Sequence, residues 1–163
     1  MAYKQTISDK IIGTLKDNLG SSFFKQYYNG DPIAIPQSLM PCIVVEKQGT
    51  NIEAGPTQMD DVTYTIVVKV IFNKKDDFGK RDDEANTQRK LEDIVEGIDE
   101  TTGQWDTRSI LGILRKNFTL ENEITDQVLE VNYGLAPRPQ DVVTAEANIM
   151  LTIRDILVVS GRS

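Results

Sequence analysis

The stretch VTYTIVVKVIF, residues 62–72, decides the fold of this chain. Its even-numbered residues are all apolar: Val62, Tyr64, Ile66, Val68, Val70 and Phe72. This alternation predicts a β-strand with one face against a hydrophobic core. The odd-numbered residues begin polar, at Thr63 and Thr65, and become apolar at Val67 and Ile71. We therefore expect the second face to be partly covered, either by a helix or by another copy of the chain.

Three segments show the spacing of amphipathic helices. Residues 7–19 carry one apolar stripe, and Gly20 follows it in the position that suits a left-handed residue after a helix. A second stripe predicts a helix over about residues 82–98, and a third predicts a short helix from Ile110 to about Phe118.

Three further segments predict strands. Residues 42–47 form a short apolar run, residues 129–135 alternate, and residues 142–159 alternate over a much longer stretch. A single strand over the last segment would span roughly 60 Å at about 3.3 Å per residue, so a bulge or bend near Arg154 is expected. Between the first two strands, residues 48–61 are polar and predict a long loop.

Together these segments predict a single α+β domain over residues 1–163. The predicted order is α-β-β-α-α-β-β. About four strands should form an antiparallel or mixed sheet, with the helices on one face.

The composition narrows the possible functions. The net charge is -7, which argues against a nucleic-acid clamp, because phosphate binding needs clustered lysine and arginine. Histidine is absent, and with it the side chain most used in acid–base catalysis and transition-metal binding. The single cysteine, Cys42, predicts a small buried residue. The first residues lack the apolar run of a secretory signal, so neither secretion by that route nor a membrane-spanning segment is expected.

No motif in the sequence predicts catalysis or a cofactor. The charge run at residues 73–84 indicates a solvated turn rather than a metal site, because lysine and arginine neutralise most of its carboxylates. We therefore predict that the protein is not an enzyme and holds no metal or cofactor. An enzyme built on carboxylates such as Asp60 and Asp76 is the alternative that metal titration would test.

Four stretches of the sequence are similar to segments of one protein family. They are IIGTLKDNLG at 11–20, IPQSLMPCIVVEK at 35–47, NKKDDFGKRDDE at 73–84 and AEANIMLTIRDILVV at 145–159. Over about residues 5–160, in these stretches and in its size and element order, the chain resembles the tail terminator (tail completion) proteins of long-tailed bacteriophages. The resemblance implies a virion protein that forms a homohexameric ring, caps the tail tube and presents a docking surface to the head connector.

The same resemblance implies no catalytic residues, and a lumen through which DNA passes without specific binding. The acidic balance of the chain would suit such a lumen. We expect contacts with neighbouring subunits, the tail tube or the connector to come from the loops at 48–61 and 73–83 and from the sheet. The candidate contact residues are Ile52, Met59, Phe78, Val67, Ile71 and Arg154.

Two other functions remain open from the sequence. One is a different neck protein of the head–tail junction. The other is a non-viral accessory binding module that acts in the cytoplasm as a monomer or dimer.

Overall fold

A computed structural model describes residues 6–56, 58–81, 85–117 and 126–159, without the side chains of 126–128. Within these residues the chain forms three α-helices and a five-stranded sheet. The elements in chain order are α1 (Ile7–Leu19), β1 (Gln26–Asn29), β2 (Cys42–Ala54), β3 (Met59–Asn73), α2 (Thr87–Glu96), α3 (Ile110–Lys116), β4 (Asp126–Arg138) and β5 (Val142–Val158).

The sheet has the strand order β1-β2-β3-β5-β4. Strand β1 runs parallel to β2, and every other neighbouring pair is antiparallel. The prediction of an α+β fold with a mixed sheet is therefore confirmed. The predicted strand count was too low, because β1 is a four-residue strand inside residues 21–41, a segment with three prolines in which the sequence patterns predicted no strand.

The alternation in β3 builds the main core, as the sequence predicts. Even-numbered residues of β3 meet odd-numbered residues of β5 on the face that the helices cover, where Ile66 and Ile149 are fully buried. All three helices contribute to this core through the residues Ile11, Leu15, Leu91, Val95, Ile110, Ile113 and Leu114.

Local sequence sets the helix ends. The Thr6 side chain caps α1 by accepting from the Asp9 backbone N–H, and Gly20 follows the helix with a φ of 73°. Helix α2 is shorter than the predicted 82–98, since residues 85–86 precede it without helical structure and 82–84 lie outside the described residues. Helix α3 ends at Lys116, and the predicted end at Phe118 lies outside the described residues.

The second face of the sheet carries a smaller core. Ile35 and Met40, from the connection between β1 and β2, lie buried there with Cys42, Val44 and Ile71. The chain's own connection therefore covers this part of the face, in place of the helix or second copy expected from the sequence.

Two sequence predictions about the strands need correction. Residues 48–61 are not a long loop: β2 continues to Ala54, β3 begins at Met59, and the two strands pair as far as Ala54 and Asp60. Of the bulge or bend expected near Arg154, the bulge is absent from the described pairing, because β5 pairs with β3 in one register from Thr144 to Val158. The irregularity lies instead in β2, between Lys47 and Gly49.

Candidate interaction surface

The three central strands continue beyond most of the core and end in an extension that we call the arm. It consists of residues 51–54 of β2, 59–63 of β3 and 154–158 of β5. The central strand β3 pairs with β2 through residues 60–63 and with β5 through residues 59–63. No described strand pairs with β2 on its other edge beyond Val45. The arm is therefore a three-stranded ribbon with an open backbone edge, which can accept hydrogen bonds from another chain.

Apolar side chains project from both faces of the arm. By strand alternation, Met59, Ile156 and Val158 share the face away from the helices, and they are 41%, 49% and 70% exposed. Ile52 and Leu157 lie on the opposite face, at 62% and 40% exposed. An apolar cluster of this kind on an exposed ribbon is typical of a protein–protein contact.

The arm is also acidic. Its residues include the carboxylates of Glu53, Asp60, Asp61 and Asp155, against the single guanidinium of Arg154. Asp61 lies directly opposite Ile156 in the β3–β5 register, so on the face away from the helices a carboxylate stands beside the apolar cluster.

The structure brings three of the six predicted contact residues together on the arm: Ile52, Met59 and Arg154. Phe78 is 62% exposed but follows the other end of β3, which lies roughly 45 Å from Met59 at about 3.3 Å per residue. Val67 and Ile71 are 4% and 0% exposed, so they offer almost no surface to a partner.

Sequence reasoning did not select Ile156, Leu157 and Val158 as contact residues. The available signal was the run of consecutive apolar residues at 156–159, where alternation stops. Apolar residues on both faces of a strand are usually buried on both faces. At this end of β5, however, the apolar side chains of both faces are partly exposed to solvent.

A groove of about 260 Å³ lies between α3 and β4. Leu111, Leu129 and Val131 provide its apolar lining, and Trp105, Glu96 and Arg115 complete it. Trp105 is 42% exposed and forms a β-bridge with Ile98 in the connection from α2 to α3. The Tyr133 hydroxyl donates a hydrogen bond to Glu96; burial and that bond together raise the pKa of Tyr133.

A buried polar cluster lies at the edge of the smaller core. Arg138 donates to both carboxylate oxygens of Asp31, at 3.0 and 3.2 Å, and to both of Glu146, at 2.9 and 3.1 Å. Lys69 Nζ donates to Asp31 at 2.8 Å and lies 3.4 Å from Glu46. Arg138 also donates to the Ile33 carbonyl oxygen at 3.0 Å. The cluster thus ties the connection between β1 and β2 to strands β3, β4 and β5.

The ionisation of this cluster follows from its pairing. Burial would raise the pKa of Asp31, but hydrogen bonds from Arg138 and Lys69 outweigh burial and hold it well below its usual range. Burial likewise opposes charge on Arg138, yet its bonds to Glu146 and Asp31 raise the pKa of the guanidinium. Asp31 and Arg138 therefore stay charged and paired at neutral pH, and the cluster holds the connection against the sheet.

Asp60 and Asp76, the carboxylates considered for an active site, lie far apart. Asp60 lies on the arm, whereas Asp76 lies in the turn after β3, at the far end of that strand. Neighbouring Asp77 is buried and accepts from the Thr87 hydroxyl and backbone N–H, so it caps the start of α2. Within the described residues, no three histidine, cysteine, aspartate or glutamate side chains lie close enough to hold a metal ion.

Comparison of the sequence with known proteins found no matching family model and no matching curated protein. In the described part of the chain, no helix is long and apolar enough to cross a membrane.

Proposed function

We propose that this protein is a structural subunit of a bacteriophage tail. In this proposal it acts as a terminator that forms a ring, ends polymerisation of the tail tube and joins the tail to the head connector. It carries out no reaction, and its localisation is the virion, with assembly in the cytoplasm of the host. The resemblance of four stretches of the sequence to tail terminators suggests the class.

The arm is the observation that carries the proposal. Five apolar side chains that are 40–70% exposed project from both faces of one ribbon, with an open strand edge beside them. A chain that worked alone would leave this surface in water, which favours aggregation. Burial between subunits or against the tube removes that cost, and it gives a role to strands that extend beyond their core.

The charge of the chain agrees with this role. A net charge of -7 would repel DNA from a lumen lined by such subunits, so that DNA could pass without being held.

Tail assembly tests the proposal. Purified protein is added to polymerising tail tubes of the phage that encodes it, and tube length and end caps are measured by electron microscopy. We expect tubes of defined length that carry a ring at one end. The double variant Ile52→Asp/Met59→Asp should stay folded, because both residues are exposed, and should fail to cap tubes.

Ile33→Asp is the matched control, since Ile33 is 66% exposed and lies outside the arm. It should cap tubes as the wild type does. Tubes that grow without limit in the presence of the wild-type protein would contradict the proposed function, as would unchanged capping by the arm variant.

A further inference from the structure

The arm needs a partner surface, and the chain itself offers one. The groove between α3 and β4 lies on a different part of the molecule from the arm, at the edge of the sheet formed by β4. We propose that the arm of one subunit docks into this groove on a second copy of the chain. The inference rests on the proposed ring and adds the identity of the contact that would build it.

The two surfaces match in their apolar parts. The arm presents Met59, Ile156 and Val158 in one cluster. The groove is lined by the partly exposed Trp105 together with the aliphatic side chains of Leu129 and Val131. A partly exposed tryptophan beside an apolar floor is typical of the residues that dominate binding energy in protein interfaces.

The two surfaces also match in charge. On the arm, Asp61 stands beside Ile156 and carries a negative charge next to the apolar cluster. In the groove, the charged lining residues are Arg115 and Glu96, and the Glu96 carboxylate accepts a hydrogen bond from the Tyr133 hydroxyl. Lys116 follows Arg115 at the end of α3. A contact that places Asp61 of the arm beside Arg115 of the groove is favoured, whereas two acidic arms would repel each other.

The geometry predicts the symmetry of the assembly. The arm and the groove are different patches of one subunit, so in the proposed ring the arm of each subunit occupies the groove of the next, and the contact repeats head to tail. Such a contact generates a ring when its rotation closes. A pairing of two arms would instead stop at a dimer.

Mixing two defective variants tests this contact. The arm variant is Ile156→Asp/Val158→Asp, and the groove variant is Trp105→Ala/Arg115→Glu. Each should be a monomer of 18.3 kDa by analytical ultracentrifugation, with a circular dichroism spectrum like that of the wild type. An equimolar mixture should form a two-chain complex and nothing larger, because it contains one intact arm and one intact groove per pair.

Single substitutions give the size of the effect. Trp105→Ala should weaken association at least about 30-fold, the change expected for a dominant interface residue. Arg115→Glu should also weaken it, and adding Asp61→Arg in the same chain should restore it, because the charge pair is then reversed rather than broken. Ile33→Asp should leave association unchanged.

Three results would overturn the contact. The first is a groove variant that assembles as the wild type does; in that case the ring stands and its contact lies elsewhere. The second is a mixture that remains monomeric although both variants are folded. The third is a wild-type chain that stays monomeric at every concentration, which removes this contact and leaves the capping of tail tubes as the separate test of the proposed function.

Discussion

Replacement of Arg138 by methionine should destabilise the fold strongly. The Arg138 side chain is 7% exposed and pairs with Glu146, also 7% exposed, and with Asp31, 14% exposed. After the change, Asp31 keeps Lys69, whereas Glu146 keeps the hydroxyl of Thr144 and loses its cationic partner. Removal of one partner from a buried ion pair costs about 3–5 kcal/mol, and the surviving Lys69 pair places the expected loss near 3 kcal/mol.

Urea unfolding followed by circular dichroism measures this loss. In thermal unfolding, a loss of about 3 kcal/mol should lower the Tm by roughly 6–12 °C for a chain of this size. The matched control is Arg89→Met, which removes an exposed arginine from α2 and should change the free energy of unfolding by less than about 0.5 kcal/mol. Adding Glu146→Gln to Arg138→Met should recover at least about 1 kcal/mol, because no uncompensated carboxylate then remains at that position.

An Arg138→Met protein as stable as Arg89→Met would refute the reasoning. It would mean that the cluster does not hold the connection between β1 and β2 against the sheet.

Three further predictions follow from single residues. Gly112→Ala would place a Cβ 2.1 Å from the Asp106 carbonyl oxygen and should lower the free energy of unfolding by about 1–3 kcal/mol. Gly13 has open space around it, so Gly13→Ala should raise the free energy of unfolding by about 0.5–1 kcal/mol. Equal Tm values for the two variants would contradict this prediction. The pKa of Asp31 in the folded protein lies below the ordinary value of about 3.9, so ionised Asp31 stabilises the fold above about pH 4 and this stabilisation is lost as the pH falls further. The difference in unfolding free energy between wild type and Asp31→Asn should therefore shrink from about pH 4 to pH 2. A difference that stays constant over this range would refute the prediction. Cys42 is 0% exposed, and its burial raises the pKa of the thiol to about 12, so a thiol reagent should label it only when the protein unfolds. Fast labelling of the native protein would contradict this burial.

The parts of the fold that bury one face could be predicted from the sequence. The stripe at residues 7–19 and the alternation at 62–72 both reflect contact with the core, and both elements formed where expected. Residues 48–54 gave no such signal, because they are exposed and the strand they form has no fully buried face. Strand β1 is too short for a period to show, and it pairs parallel to β2 next to a proline-rich connection.

The contact surfaces could be predicted less completely from the sequence than the core. Ile52 and Met59 stood out as apolar residues in a polar segment, and both lie on the arm. Val67 and Ile71 are also apolar but are buried within the chain itself. The sequence pattern shows that a strand face needs cover, but not whether a partner or another segment of the same chain provides it. The pairing of Asp31 with Arg138 joins residues 107 positions apart and depends on the sheet topology.

The mass of the purified protein in solution tests the central claim most directly. Analytical ultracentrifugation over a range of concentrations should show the wild-type chain forming a closed assembly of several copies. The Ile156→Asp/Val158→Asp variant should remain at 18.3 kDa. A wild-type chain that sediments as a single 18.3 kDa species at every concentration, or an arm variant that assembles as fully as the wild type, would contradict the account.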